Sequence, residues 1–329
     1  MTIDVAVLGA TGMVGQRVVQ RLQHHPMFRV AELCASERSV GKTYEEAAPW
    51  RLGGDNPMPG ALVLPCDPEK VKSAVIFSAL DSATATVVEP LFRDSGRAVL
   101  TNAAPFRTVE GVPLLIPEVN PEHAEWVRGK RGFIVANPNC THQAMTMALA
   151  PLHRRWGVEA VCVASYQAVS GAGYPGESAW DMLGNVHPHA GDEEEKVATE
   201  PQRILDAPGL RISARCVRVP VADGHLVAVS ALLRTDPGLD AIREALTSFV
   251  GPYILPSSPR PLLHLIAARD RPSPKFDADR GGGMAVTVGR VERCEVFTVK
   301  FFALAHNAIR GAAGGAIANA ELLVAKGIL

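Results

Sequence analysis

The chain has 329 residues, 47% of them hydrophobic, and its 33 Lys and Arg nearly balance its 34 Asp and Glu. A chain longer than the roughly 250–300 residues at which single cores stop growing is not one small module, so two domains in close contact are expected. No block of like charge stands out and no apolar run approaches the ~20 residues of a membrane span, which argues against nucleic acid or a membrane as partner and leaves a small molecule.

Met1-Thr2-Ile3-Asp4 has neither a basic stretch nor a cleavage site and runs straight into a strand pattern, so a cytoplasmic location is expected. Ile3–Leu8 is an apolar run broken only by Asp4. The glycines of Gly9-Ala10-Thr11-Gly12-Met13-Val14-Gly15 then lead into the amphipathic stretch Gln16–Leu22. Strand, tight turn and helix in that order are what a dinucleotide needs: glycines let backbone N–H groups approach a pyrophosphate at the positive end of the helix dipole. After a second strand at Val30–Leu33, no carboxylate is cleanly placed for an NAD ribose, whereas Ser36, Arg38 and Ser39 suit a 2′-phosphate. NADP is therefore preferred over NAD, with Glu37 the opposing feature. Further buried strands at Ala74–Phe77, Ala98–Leu100 and Phe133–Val135 alternate with helical or turn-rich segments, which predicts a doubly wound parallel sheet.

In Asn137-Pro138-Asn139-Cys140-Thr141-His142, Pro138 and Asn139 are helix-start signals, and Met145, Leu149 and Leu152 recur at helical spacing. Cys140 thus begins a helix, where the dipole favours thiolate and backbone N–H groups can hold an oxyanion, a nucleophile's context. The other cysteines, Cys34, Cys66, Cys162, Cys216 and Cys294, form no CxxC pair, so free, mostly buried thiols are expected, with no disulfide framework and no metal site. Farther on, strand-like runs at Gly157–Gln167, Ala214–Pro220, Leu226–Leu233 and Met284–Leu304 lie closer together with fewer helices, as in an α+β domain. Within it, the acidic run Asp192–Glu195 reads as a solvated helix face. His225 reads as a loop residue after a strand, either simply exposed or facing a cleft as acid/base partner. The guanidinium forks of Arg107 and Arg218 suit a substrate with carboxylate and phosphate groups. Pro256–Pro274 reads as a surface connection, and Asn307–Leu329 as an Ala-rich helix, interrupted near Gly314-Gly315, that returns to the first domain.

Five segments together resemble the aspartate-semialdehyde dehydrogenases, nearest their archaeal and fungal branch, over essentially the whole chain: Gly9–Gly15, Asn137–Cys140, Ser165–Gly173, Arg218–His225 and His306–Gly315. The resemblance implies a Rossmann-like parallel sheet followed by an α+β catalytic and dimerisation domain, divided as 1–136 plus 307–329 and 137–306. It implies NADPH-dependent reduction of L-aspartyl 4-phosphate to the semialdehyde and phosphate, a step of amino-acid biosynthesis, in a homodimer or homotetramer. Cys140 would be the nucleophile, His225 the acid/base and Gln167 a substrate-orienting group. Arg218 would bind the α-carboxylate, Glu200 would face the amino group, and Arg107 and Asn139 would contact phosphate. Arg203 stands where the family commonly has Lys. The NADP site would be lined by Gly9, Thr11, Gly12, Met13, Val14, Gly15, Ser36, Arg38, Ser39, Ser78, Leu80, Ser170, Gly171 and Asn307.

One departure is His142, where the family has a small residue; it keeps open a reductase of a CoA thioester such as malonyl- or succinyl-CoA. Two residues beyond Cys140 on a helix, it points roughly the opposite way and is not a candidate base.

Overall fold

The computed structural model describes residues 2–329 and contains two six-stranded sheets. The first comprises β1 (Ile3–Leu8), β2 (Phe28–Ala35), β3 (Val63–Pro65), β4 (Val75–Ser78), β5 (Ala98–Thr101) and β6 (Phe133–Ala136), in the order β3-β2-β1-β4-β5-β6. All its pairings are parallel. β4, β5 and β6 are buried along their whole length, as strands covered on both faces must be. The strand order reverses at β1, so a crevice opens beyond the carboxyl ends of β1 and β4, where doubly wound sheets bind ligands. The helix after the glycine turn spans Met13–Leu22, starting earlier than Gln16 because Gly12 already takes the N-cap position.

The second sheet comprises β7 (Val158–Gln167), β8 (Arg211–Arg218), β9 (His225–Leu233), β10 (Leu263–Ile266), β11 (Val286–Arg293) and β12 (Val299–Ala305), in the order β10-β11-β12-β9-β7-β8. β10 lies inside the stretch expected to be a surface connection; it is a strand because β11 offers it a parallel edge, with Leu263 opposite Val286. Alternation along β7 and β9 buries Val161, Val163, Val227 and Val229 on one face. Against that face lies the cysteine helix, Cys140–Trp156, buried on every side from Thr141 to Leu152.

The C-terminal segment is not interrupted at Gly314-Gly315. A π-turn over Ile309–Ala313 runs directly into the helix Gly314–Ala325. Both glycines mark close packing: a Cβ on Gly314 would lie 2.3 Å from Met284 Sδ, and one on Gly315 would lie 2.6 Å from Asn137 Oδ1. The helix returns to the first sheet, where Ile317, Leu322 and Leu323 share a core with Val5 and Val7. Of the six cysteines only Cys34 and Cys216 are buried, and Cys162 is exposed, because the other positions fall at element ends or on the open sheet face. No helix among the described residues is long and apolar enough to cross a membrane.

Candidate active site

The cysteine helix starts on a brace of carboxylates. Asn139 caps it, its Oδ1 accepting the Thr141 N–H at 2.9 Å. A second helix, Glu193–Ile204, then supplies two acids to this start. Glu193 accepts from Asn139 Nδ2 at 3.0 Å and from Thr141 Oγ1 at 2.7 Å. Glu200 accepts the Asn139 N–H at 2.7 Å, Arg107 Nη1 at 3.1 Å and His142 Nε2 at 2.9 Å. The acidic run is therefore not simply a solvated face, since Glu193 turns inward to a helix terminus that needs acceptors for its side chains. Burial alone would raise the Glu200 pKa, but the Arg107 charge, His142 and the Asn139 N–H outweigh it and hold it down at about 2.

Cys140 is not poised as a thiolate in this state. Burial foremost, then the Glu193 charge, pushes its thiol up to about 12 against the opposing pull of Arg107 and Arg218. The helix dipole is outweighed because the half-buried sulfur lies among protein atoms and beside a carboxylate. Room for the side chain depends on Gly311, where a Cβ would lie 2.4 Å from Cys140 Cβ.

Strand register gathers the next three groups. Gln167 ends β7 opposite Arg218, which ends β8, while His225 is the first residue of β9 and not a loop residue. All three are buried on the face toward the cysteine helix. Arg218 Nη1 donates to Gln167 Oε1 at 3.0 Å and to the Ala168 carbonyl at 3.1 Å. The Ala168 N–H donates to His225 Nδ1 at 3.0 Å, so the neutral ring carries its proton on Nε2, which has no partner among the described residues. Burial first, then the charges of Arg218 and His306, presses the His225 pKa down to about 3. Gly171 lies over this pair: a Cβ there would come within 2.8 Å of both Arg218 Nη1 and His225 Nε2.

A cleft of about 510 Å³ joins Cys140 to the glycine turn, with Met13, Val14, Ser170, Gly171 and Asn307 among its walls. Gly9, at φ +72°, turns the chain, and a Cβ on Gly15 would lie 2.2 Å from the Gly9 carbonyl oxygen. Beside the cleft, Asn307 accepts the Gly224 N–H at 2.8 Å and donates to Ser170 Oγ at 2.8 Å. Ser36 and Arg38 are exposed just past β2, Ser39 is buried beside them, and Ser78 closes β4 with its Oγ unpartnered. Thr11 lies within the glycine turn and Leu80 just past β4, both half-buried.

Two further residues expected to bind substrate also hold the protein together around Arg107. Arg203 donates to the carbonyls of Arg107, Val109 and Val112 and lies over the Trp126 ring, supporting the loop that carries Arg107. Glu200 Oε2 accepts the Asn139 N–H and His142 Nε2, while Oε1 accepts only Arg107. Sequence reasoning also missed Glu193, Gly311 and the stacking of Arg51 over the Tyr174 ring, at 3.5 Å to the centroid. Only the acidic run and the glycine-rich C-terminal segment hinted at the first two.

A family model described as semialdehyde dehydrogenase, NAD binding domain, matches residues 4–127, and one described as semialdehyde dehydrogenase, dimerisation domain, matches residues 149–310. The aspartate-semialdehyde dehydrogenase of Archaeoglobus fulgidus is 42% identical over 100% of both chains, and that of Schizosaccharomyces pombe is 38% identical over 99% of each. Among solved structures, aspartate semialdehyde dehydrogenase with NADP from Candida albicans superposes with a TM-score of 0.93 at 34% identity, covering 100% of both chains. Aspartate semialdehyde dehydrogenase II complexed with ASA from Vibrio cholerae gives 0.82 at 28% identity over 99% of each.

Proposed function

The chain belongs to the aspartate-semialdehyde dehydrogenase family, and we propose that it reduces L-aspartyl 4-phosphate to L-aspartate 4-semialdehyde and phosphate with NADPH, through an acyl thioester on Cys140. The observation that carries this reading is the position of Cys140, at the start of a buried helix, open to the cleft that begins at the glycine turn, and under the charges of Arg107 and Arg218.

The residues present fit NADP. Gly12 caps its helix without a side chain, the first turn holds no acid, and Met13 and Val14 line the cleft, so the helix end is free for a pyrophosphate. Gly9, Thr11, Gly12 and Gly15 shape that end. Ser36, Arg38 and Ser39 would hold the 2′-phosphate, with Ser78 and Leu80 along the wall and Ser170, Gly171 and Asn307 on the Cys140 side. When bound, NADPH supplies hydride to the acyl carbon.

On the substrate, Arg218 takes the α-carboxylate, oriented by Gln167, and Arg107 with Asn139 takes the phosphate. The Cys140 thiol gives its proton to the departing phosphate as sulfur bonds to the acyl carbon and the acyl carbon–oxygen bond breaks, giving hydrogen phosphate and a thioester. A thioester accepts hydride where a carboxylate does not. The acid/base role of His225 narrows to that of a neutral donor: Nε2–H polarises the carbonyl and steadies charge developing on its oxygen. To act as a base at Nε2 the ring would need a proton on Nδ1, facing the Ala168 N–H. The oxyanion held by Nε2–H then collapses, breaking the carbon–sulfur bond and freeing the aldehyde, and the sulfur takes a proton from water to restore the thiol.

We assign NADP binding to 1–136 with 307–329, and catalysis and dimerisation to 137–306. The outer face of the second sheet, with Cys162, Ala228, Ser230 and Phe302, is the surface for a homodimer, itself able to pair into a tetramer. A cytoplasmic location and a place in amino-acid biosynthesis accord with this reading. The test is NADP reduction by aspartate semialdehyde, with and without phosphate, and with NAD in place of NADP. Phosphate-dependent reduction supports the proposal. Turnover of malonyl- or succinyl-CoA in its place would favour the CoA-thioester alternative, whose one sequence argument, His142, is engaged with Glu200.

A further inference from the structure

One buried titratable group at the site has no role in this mechanism. His142 is fully buried on the cysteine helix, with Nδ1 3.0 Å from Thr146 Oγ1 and Nε2 2.9 Å from Glu200 Oε2. Thr146 lies one helical turn along and fixes the ring plane, so Nε2 is the nitrogen given to the carboxylate.

Glu200 stands between two demands. Its Oε2 receives the Asn139 N–H as well as His142, which anchors the residue just before Cys140; its Oε1 receives Arg107. Arg107 is itself divided: Nη1 goes to Glu200, Nη2 to the Asn102 carbonyl at 2.7 Å, and Nε is buried without a partner. A guanidinium that must bind phosphate cannot be wholly neutralised by a carboxylate behind it. Equally, that carboxylate cannot be left with the cation as its only side-chain donor, or it would draw the fork back.

We propose that His142 is a positioning residue that, together with the Asn139 N–H, fixes Oε2 of Glu200, so that only Oε1 meets Arg107 and the guanidinium keeps donor capacity for the phosphate of the substrate while the Asn139 anchor stays in place. The inference rests on the phosphate-pocket reading above and adds one residue to it. His142 touches neither substrate nor cysteine; it acts through Glu200.

The test compares His142→Ala with His142→Gln, whose side-chain amide can still donate to Glu200. In the semialdehyde-oxidising direction with NADP, His142→Ala is expected to raise the KM for phosphate ~10-fold, as for loss of a hydrogen bond to a charged group, with kcat and the KM for semialdehyde nearly unchanged. His142→Gln should restore most of the phosphate KM. A parallel titration follows the rise in unfolding temperature with inorganic phosphate, which needs no turnover. Its midpoint should move to higher phosphate in His142→Ala and return in His142→Gln. A uniform fall in kcat with unchanged phosphate KM, or a glutamine variant as impaired as the alanine one, overturns the positioning role. Should the wild type show no phosphate-dependent turnover, the functional reading fails by itself, and the thermal titration still decides whether His142 governs phosphate binding. If His142→Ala does not fold, the glutamine and wild-type midpoints decide: they must agree within about threefold.

Discussion

Gly311 and Cys140 are in contact so close that one added methyl on the glycine would lie 2.4 Å from the cysteine Cβ and 2.9 Å from its Cα. Neither can move easily, since the Gly311 carbonyl accepts from Asn137 Nδ2 at 3.1 Å and Cys140 begins a helix packed on all sides. Gly311→Ala is therefore expected to leave a cooperatively folding protein with NADP affinity retained, while displacing the sulfur and lowering turnover at least ~10²-fold. Near-normal turnover in that variant would mean that the nucleophile tolerates displacement.

The thiol of Cys140, pushed up to about 12 chiefly by burial and next by Glu193, gives a labelling prediction. Alkylation at Cys140, followed by peptide mass spectrometry to separate it from the other five cysteines, should climb steadily from pH 7 to 10 without a plateau. Removing the carboxylate charge with Glu193→Gln should speed labelling at pH 8, because a neighbouring anion disfavours the thiolate. An unchanged or slower rate would show that the Glu193 charge does not reach the sulfur.

For His225 the prediction concerns its pH profile. Pressed down to about 3, the ring is neutral across the working range and contributes a donor throughout. The kcat profile should therefore show no ionisation limb near pH 6.5. His225→Ala should reduce turnover by ~10²–10³, the loss typical of one oxyanion-stabilising donor. A limb near 6.5 that disappears in the variant would restore the imidazole to the role of base.

Stability has its own titrating group in the first sheet. Glu89, fully buried on the helix Ser82–Asp94, accepts from Thr101 Oγ1 at 2.6 Å. Burial raises its pKa to about 7, against the opposing pull of the Thr101 hydrogen bond and the neighbouring Ser78 hydroxyl. A carboxyl whose folded pKa lies above its unfolded value stabilises the fold fully below about pH 4.5, and that contribution is lost as pH rises through about 7. Glu89→Gln, which keeps an acceptor for Thr101, should remove this decline and be more stable than wild type at pH 8, by roughly 3 kcal/mol at most. Denaturant unfolding at pH 5 and pH 8 checks it; parallel pH dependence in both proteins would show that another group titrates.

Legibility followed range. The strand, glycine turn and helix from Ile3 to Leu22 were readable because apolar run, glycine spacing and amphipathic stretch sit side by side, and Cys140 was readable as a helix start from Pro138 and Asn139 immediately before it. What depended on distant chain was hidden. Glu193 looked like solvated charge until its helix was laid across Asn139 and Thr141. The surroundings of the sulfur are hidden for the same reason, since the dipole is local while burial and the Glu193 charge come from elsewhere. β10, four residues among prolines, became a strand only because β11 presented an edge to it. Nothing near Arg203 in sequence indicated that carbonyls some 90 residues earlier would claim it.

The chain passes between the two sheets twice, at Ala136-Asn137 and again at Ala305-His306, and both passages border the cysteine. Asn137 reaches across from one to the carbonyls of Gly311 and Ala312 on the other, sewing them together. The two halves are in this sense clasped at paired seams, and any change in the angle between the sheets would have to bend the chain at both. Clipping the chain after the second seam would not trim a tail. It would unfasten one jaw and take with it the wall that keeps the sulfur in place.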